Sequence, residues 1–208
     1  MNSAEVVSVN VGAVREIEWR GERVRTGIWK LPVEGRVAIR GVNLAGDDQA
    51  DRRVHGGVDK AVYAYAVEDY AFWRDERQVD TIPGLFGENL TTRGLDLRES
   101  LVGERWRAGS ALLEVAQPRL PCFKLGARMN DARFPKAFQA EGRMGAYLRI
   151  IEEGEVGTGD AIDVVARPAH GIRLRDMLRA LDDEAMAHRL RELPYLPRFW
   201  NDVARGPS

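Results

Sequence analysis

The sequence predicts a mainly β, α+β fold: a mixed β-barrel, closed or nearly closed, with short helices and a small C-terminal appendage of three helices. Three observations carry this prediction. Short apolar or period-two segments recur between Gly-rich and polar connections through most of the chain. Strands do not alternate regularly with helices, which argues against a parallel α/β sheet. After Pro168 the apolar spacing becomes helical. The chain therefore divides into a barrel domain, residues 1–168, and a helical extension, residues 169–208. With 208 residues and 44% hydrophobic content, it can bury a full core without disulfide help.

The elements follow in order. Val7, Val9 and Val11 alternate with Ser8 and Asn10, the pattern of a half-buried strand. In residues 25–33, Gly27 and Pro32 interrupt an apolar segment, predicting a loop or bent strand that exposes Lys30. A strand over 37–42 runs into the polar stretch 46–60, whose many polar groups cannot all be buried unpaired. A loop of this length points to function. A short strand over 61–65 precedes a helix over 67–77, with Glu68 and Asp69 at its positive end. Residues 87–92 read as a second polar loop or as a loop passing into a strand, and 102–109 read as a strand and turn. Ala111, Leu113 and Val115 then line one face of the strand 111–116.

Pro135, Gly142 and Gly145 interrupt the polar stretch 128–145, predicting a mobile segment over a site. Strand patterning returns at 147–151 and 161–166, separated by turns. In the tail, Leu174, Met177, Leu178 and Leu181 form a helical stripe. Asp182 is placed to cap a second helix carrying Met186, Leu190 and Leu193, and Pro197 to open a third with Phe199, Trp200 and Val203. Three helices this small need a surface to dock on, either the barrel or another subunit.

Charge and cysteine usage narrow the function. Lys and Arg total 31 against 32 for Asp and Glu, so no global field favours nucleic acid or acidic membrane. The tail's arginines alternate with acids and read as a solvated face. One cysteine cannot form an internal disulfide, and neither a leader nor an apolar run of membrane-spanning length is visible, so a cytoplasmic protein is expected.

That cysteine, Cys122, lies just past a strand, framed by Pro118, Arg119, Pro121 and Lys124. The prolines withhold backbone donors and open the chain away from a ladder. The cations suit a thiolate, the form that binds metal or attacks. Burial as a small core residue is the alternative. His55 precedes Gly56 and Gly57, whose amides could form an anion nest, or else it simply ties its loop together. Glu88 and Asn89 offer acceptors and an amide to a heteroaromatic edge, and Lys30, Arg119 and Lys124 are candidates for a phosphate site. His55, His170 and His188 lack zinc-ligand spacing. Asp48, Asp51 and Glu88 lack the calcium-loop pattern, and no local motif supports a Cys122–His55 hydrolase.

Four stretches taken together, residues 26–33, 46–62, 87–92 and 117–125, resemble in order and spacing the MOSC domain proteins of the YiiM-like bacterial group. The resemblance spans about residues 6–165, and the tail resembles that group's three-helix extension. It implies a MOSC-type barrel holding the molybdenum cofactor, Mo-molybdopterin. Cys122 is then the metal ligand and catalytic residue, and Lys30, His55, Glu88, Asn89 and Arg119 line the cofactor pocket. The implied activity is reduction of small N-hydroxylated bases or related compounds, with oxygen passing to molybdenum and electrons coming from an external flavin or iron–sulfur reductase. The chain carries neither a nucleotide fingerprint nor cysteines for a cluster. Two alternatives stand beside this: a sulfur carrier through a Cys122 persulfide, and a non-catalytic cofactor carrier. No nucleic-acid or membrane partner is implied, and a homodimer is left open.

Overall fold

The computed structural model describes residues 4–48, 50 and 56–206. Its first half runs β1 (Glu5–Val11), β2 (Arg15–Trp19), β3 (Glu22–Thr26), β4 (Leu31–Pro32), β5 (Arg36–Arg40), β6 (Asn43–Leu44), β7 (Val62–Ala66), α1 (Val67–Arg77) and β8 (Leu90–Arg93). The second half runs β9 (Arg105–Ala108), β10 (Ala111–Pro118), α2 (Phe123–Arg128), α3 (Phe134–Ala140), β11 (Ala146–Glu152), β12 (Gly154–Gly157) and β13 (Ile162–Ala166). The tail holds α4 (Leu174–Arg179), α5 (Glu184–Arg189) and α6 (Arg198–Arg205).

An eight-stranded sheet in the order β13-β9-β10-β11-β7-β8-β1-β4 dominates, flanked by the three-stranded sheet β12-β5-β6 and the hairpin β2-β3. Pairing is antiparallel except between β7 and β8, which α1 joins by a crossover. The fold is thus mixed α+β, mainly sheet with short helices. The sheet bends far enough for the start of β1 to meet the start of β13: the Val6 amide donates to the Asp160 carbonyl at 2.9 Å and the Ile162 amide to the Ala4 carbonyl at 2.8 Å. Beyond the single Glu5–Ala161 bridge, no ladder among the described residues closes the sheet.

Two apolar clusters fill the fold. The larger gathers Val9, Leu90, Leu113, Leu148 and Trp106 from the strands with Met177, Leu190 and Trp200 from the tail, so the three helices dock on the sheet of their own chain. The Trp200 indole donates to Gln117 Oε1 at 3.0 Å, satisfying both groups within the buried seam. The second cluster is aromatic. Tyr65, Tyr70, Trp73, Phe86, Phe134 and Phe138 interlock in tilted, stacked and edge-to-face pairs 4.9–6.0 Å apart.

Several expectations are corrected. In β1, Ser8 and Asn10 are buried with Val6 and Val9, because a register shift after Val6 breaks simple alternation. The two polar side chains satisfy one another, Ser8 Oγ donating to Asn10 Oδ1 at 2.8 Å and Asn10 Nδ2 to Thr91 Oγ1 at 3.0 Å. The stretch 128–145 carries α3, anchored by Phe134 and Phe138 in the aromatic cluster, and is not a loose cover. Pro135 lies in the first turn, where its missing amide donor costs nothing. The cap of α5 is Asp183, which accepts from the Met186 amide at 3.1 Å, and not Asp182.

Candidate functional site

Loop residues around Gly27, Asp47, Gly87 and Cys122 converge on an open-mouthed cavity of about 650 Å³, its mouth included. Close backbone packing sets its shape. A Cβ at Gly27 would strike the Asp48 carbonyl, and one at Gly84, whose φ is +82°, would meet the Lys30 carbonyl at 2.5 Å. The stretches around Gly27, Asp47 and Gly84 are therefore pressed together, which brings residues distant in sequence to one wall.

Lys30, Asn89, Arg119 and Cys122 all line this cavity, together with Lys60 and Lys124. Cys122 is half-buried at the entrance to α2. Glu88 is fully buried behind the wall and is not a lining residue. His55 and Asp51 lie outside the described residues. Among the described residues, no cluster of three or more His, Cys, Asp or Glu side chains could hold a metal ion.

The polar lining is held in place by one acid that sequence reasoning passed over. Asp47 pairs with the Lys30 ammonium, accepts from the Gly12 amide at 2.9 Å and accepts from Asn89 Nδ2 at 3.0 Å. Asn89 Oδ1 in turn accepts from the Tyr63 amide at 3.1 Å, tying the polar loop to β7. Burial pulls the Lys30 ammonium below the usual lysine range, with Asp47 opposing. Glu88 serves as a hub: its Oε1 accepts from the Tyr70 hydroxyl at 2.7 Å, the Gly84 amide at 2.6 Å and Thr91 Oγ1 at 2.9 Å. Its Oε2 has no partner among the described residues, and burial raises its pKa.

Arg119 is the other buried cation. Its guanidinium lies 5.5 Å from the Tyr63 ring centroid and 5.7 Å from that of Phe138. Its Nη1 has no partner among the described residues, although the side chain is 5% exposed. A guanidinium stays charged in proteins, so a desolvated donor at a cavity wall is expensive unless an acceptor reaches it. Burial also lowers the Lys60 ammonium, while Asp59 and Cys122 oppose that shift.

Asp47, Tyr63 and Tyr147 escaped sequence reasoning. Asp47 directly follows Gly46, whose φ is +82°, within the long polar loop, and that placement was its available signal. Tyr63 and Tyr147 face each other across β7 and β11, a pairing visible only once the strand register is known.

Comparison with known proteins identifies the family. The sequence profile of the MOSC domain matches residues 51–163, a span that includes Asn89, Arg119 and Cys122. The uncharacterized protein YflK of Bacillus subtilis is 36% identical over 170 residues, 82% of this chain and 77% of that protein. A Gibberella moniliformis protein named reductase is 32% identical over 167 residues, which are 78% of this chain and 29% of the reductase. The crystal structure of YiiM from Geobacillus stearothermophilus superposes with a TM-score of 0.79 at 28% identity, covering 97% of both chains. Profile, relatives and fold converge: the chain belongs to the MOSC domain family, as a YiiM-like member.

Proposed function

We propose that this protein binds the molybdenum cofactor through Cys122 and reduces small N-hydroxylated bases or related compounds, with electrons from an external flavin or iron–sulfur reductase. The observation that carries the reading is the pairing, in one cavity, of a half-buried thiol with a buried guanidinium whose Nη1 lacks an acceptor. A soft sulfur donor suits a soft, redox-active metal, and an unpaired buried cation suits an anionic phosphate. The residues present fit such a group. MOSC membership and the relative named reductase support the same class of chemistry.

In this reading Cys122 holds the metal, and Arg119, assisted by Lys60 and Lys124, holds the phosphate. Asn89 and Asp47 keep Lys30 oriented along the wall, and Glu88 fixes the loop that carries Asn89. When bound, the cofactor would supply the two-electron redox chemistry for N–O bond cleavage. The net change is R–NHOH + 2e⁻ + 2H⁺ → R–NH₂ + H₂O: the N–O bond breaks and the oxygen leaves as water. Lys30 and Lys60, whose ammonium groups burial makes more acidic than an exposed lysine, both line the cavity and are suited to deliver a proton.

The test is reduction of an N-hydroxylated base by protein made in a host that synthesises molybdopterin, with a flavin reductase as donor. Turnover abolished by Cys122→Ser is the expected result. A persulfide trapped on Cys122 without turnover would instead point to sulfur transfer, and bound cofactor without turnover under any donor to a carrier.

A further inference from the structure

A basic face flanks the mouth of the cavity. Trp29, half-buried, stands in the chain between Ile28 and Lys30, both of which line the cavity. The Arg15 guanidinium lies 4.8 Å from the Trp29 ring centroid and the Arg128 guanidinium 5.5 Å, so two cations share one indole. Burial and the like charge of Arg15 hold the Arg128 guanidinium below the usual arginine range. Among the described residues no carboxylate pairs with either, whereas Arg36, Arg93, Arg105 and Arg143 each have an acid partner.

Three elements build this face. Arg15 opens β2, in a hairpin that sets Glu16 opposite Arg25 and Glu18 opposite Arg23 on one face and leaves Arg15 on the other. Arg128 closes α2, one turn after the cavity-lining Lys124, and its Nε donates to the Leu85 carbonyl at 3.2 Å. The loop reached in this way leaves Ile82 47% exposed. At Gly84 the same loop presses on the Lys30 carbonyl, next to Leu31, which is 60% exposed. Bare aliphatic side chains beside guanidiniums that lack acids have the composition of a protein interface, apolar at its centre and enriched in arginine.

We propose that this face docks an acidic one-electron donor protein, which sets carboxylates on Arg15 and Arg128 and an apolar contact on Leu31 and Ile82. The assignment rests on the reductase reading above, which takes its electrons from outside because the sequence holds neither a nucleotide fingerprint nor cysteines for a cluster. In balance, R–NHOH + 2 D(red) + 2H⁺ → R–NH₂ + H₂O + 2 D(ox), each donor D giving one electron and leaving oxidised. Docking at Trp29 brings the donor to the edge of the cavity that would hold the acceptor. The chain's net charge is −1, so attraction of an acidic partner is local to this face, and complementary charge there raises the rate of encounter and fixes its register.

Flavodoxin, an acidic flavoprotein, is the probe. In the NMR spectrum of isotope-labelled, ligand-free protein, the Trp29 indole signal, assigned by its loss in Trp29→Phe, should shift when flavodoxin is added at low ionic strength. It should return to its free position at about 1 M salt, where the Debye length is about 3 Å, and Arg15→Glu should abolish the shift. In cofactor-loaded protein, Arg15→Glu combined with Arg128→Gln, which keeps a donor for the Leu85 carbonyl, should slow reaction with reduced flavodoxin at least about tenfold at low ionic strength. Turnover driven by the methyl viologen radical cation should be unchanged in the same variant. No shift at Trp29, a shift that survives high salt, or one matched by inorganic phosphate at the same concentration overturns the docking face, as does an equal loss of rate with both donors. In each of those events turnover with methyl viologen keeps the reductase reading. A salt-sensitive shift at Trp29 without turnover under either donor overturns the reductase reading, and the donor assignment falls with it.

Discussion

Replacing Arg119 by Met separates binding from folding. The side chain is 5% exposed, its Nη1 has no partner among the described residues, and it lies over Tyr63 and Phe138. In the ligand-free protein, removing the charge relieves a desolvation cost of several kcal/mol per buried ion. It also forfeits cation–π attraction to Tyr63 and Phe138 of about 2 kcal/mol. These effects oppose each other, so Arg119→Met should change unfolding free energy by no more than about 1 kcal/mol, a Tm shift within about 4 °C for a chain of this size. Binding has no such offset: losing a charged hydrogen bond of about 1.5–3 kcal/mol weakens an anionic ligand about 10- to 150-fold. The assay pairs thermal unfolding of the ligand-free protein with pterin and molybdenum retained after gel filtration. A large loss of stability with full retention would make Arg119 a structural residue and refute the reasoning.

Two further predictions test the surroundings. Burial raises the Glu88 pKa, so between the ordinary carboxylate range and that raised value the folded protein binds more protons than the unfolded chain. The contribution of Glu88 is therefore fully present below the unfolded pKa and is lost as pH rises through the folded one. Denaturant midpoints should fall with pH across that window in the wild type, and Glu88→Gln, which mimics the protonated side chain, should lack that component; parallel profiles would contradict this. Asp183→Ala should cost about 1 kcal/mol by removing the α5 cap, a Tm drop of about 2–4 °C, whereas Asp182→Ala should stay within about 0.5 kcal/mol. Thermal melts of the two variants decide between the caps.

Local signals made much of the fold legible. The helix α1 follows from its acids in the first turn and basic residues in the last, and the 111–116 pattern falls within β10. Features set by packing were not legible. The buried Ser8 and Asn10 depend on a register shift, and β12 is a Gly-bounded segment whose pairing with β5 no local pattern announces. Pro135 read as an interruption because its place in the first turn of α3 depends on Phe134 and Phe138 finding the aromatic cluster. At the site, residue type singled out Lys30, Asn89, Arg119 and Cys122, which line one cavity. It could not show that Glu88 sits behind the wall or that Asp47 holds Lys30 and Asn89, since both depend on which loops pack together. No helix among the described residues is long and apolar enough to cross a membrane.

Cofactor binding through the one sulfur is tested most directly by elemental analysis of wild-type and Cys122→Ser protein purified from a host that makes molybdopterin. Stoichiometric molybdenum in the wild type and its loss in the variant, with folding unchanged, is the predicted result. Molybdenum absent from the wild type, or retained in full by Cys122→Ser, would contradict it.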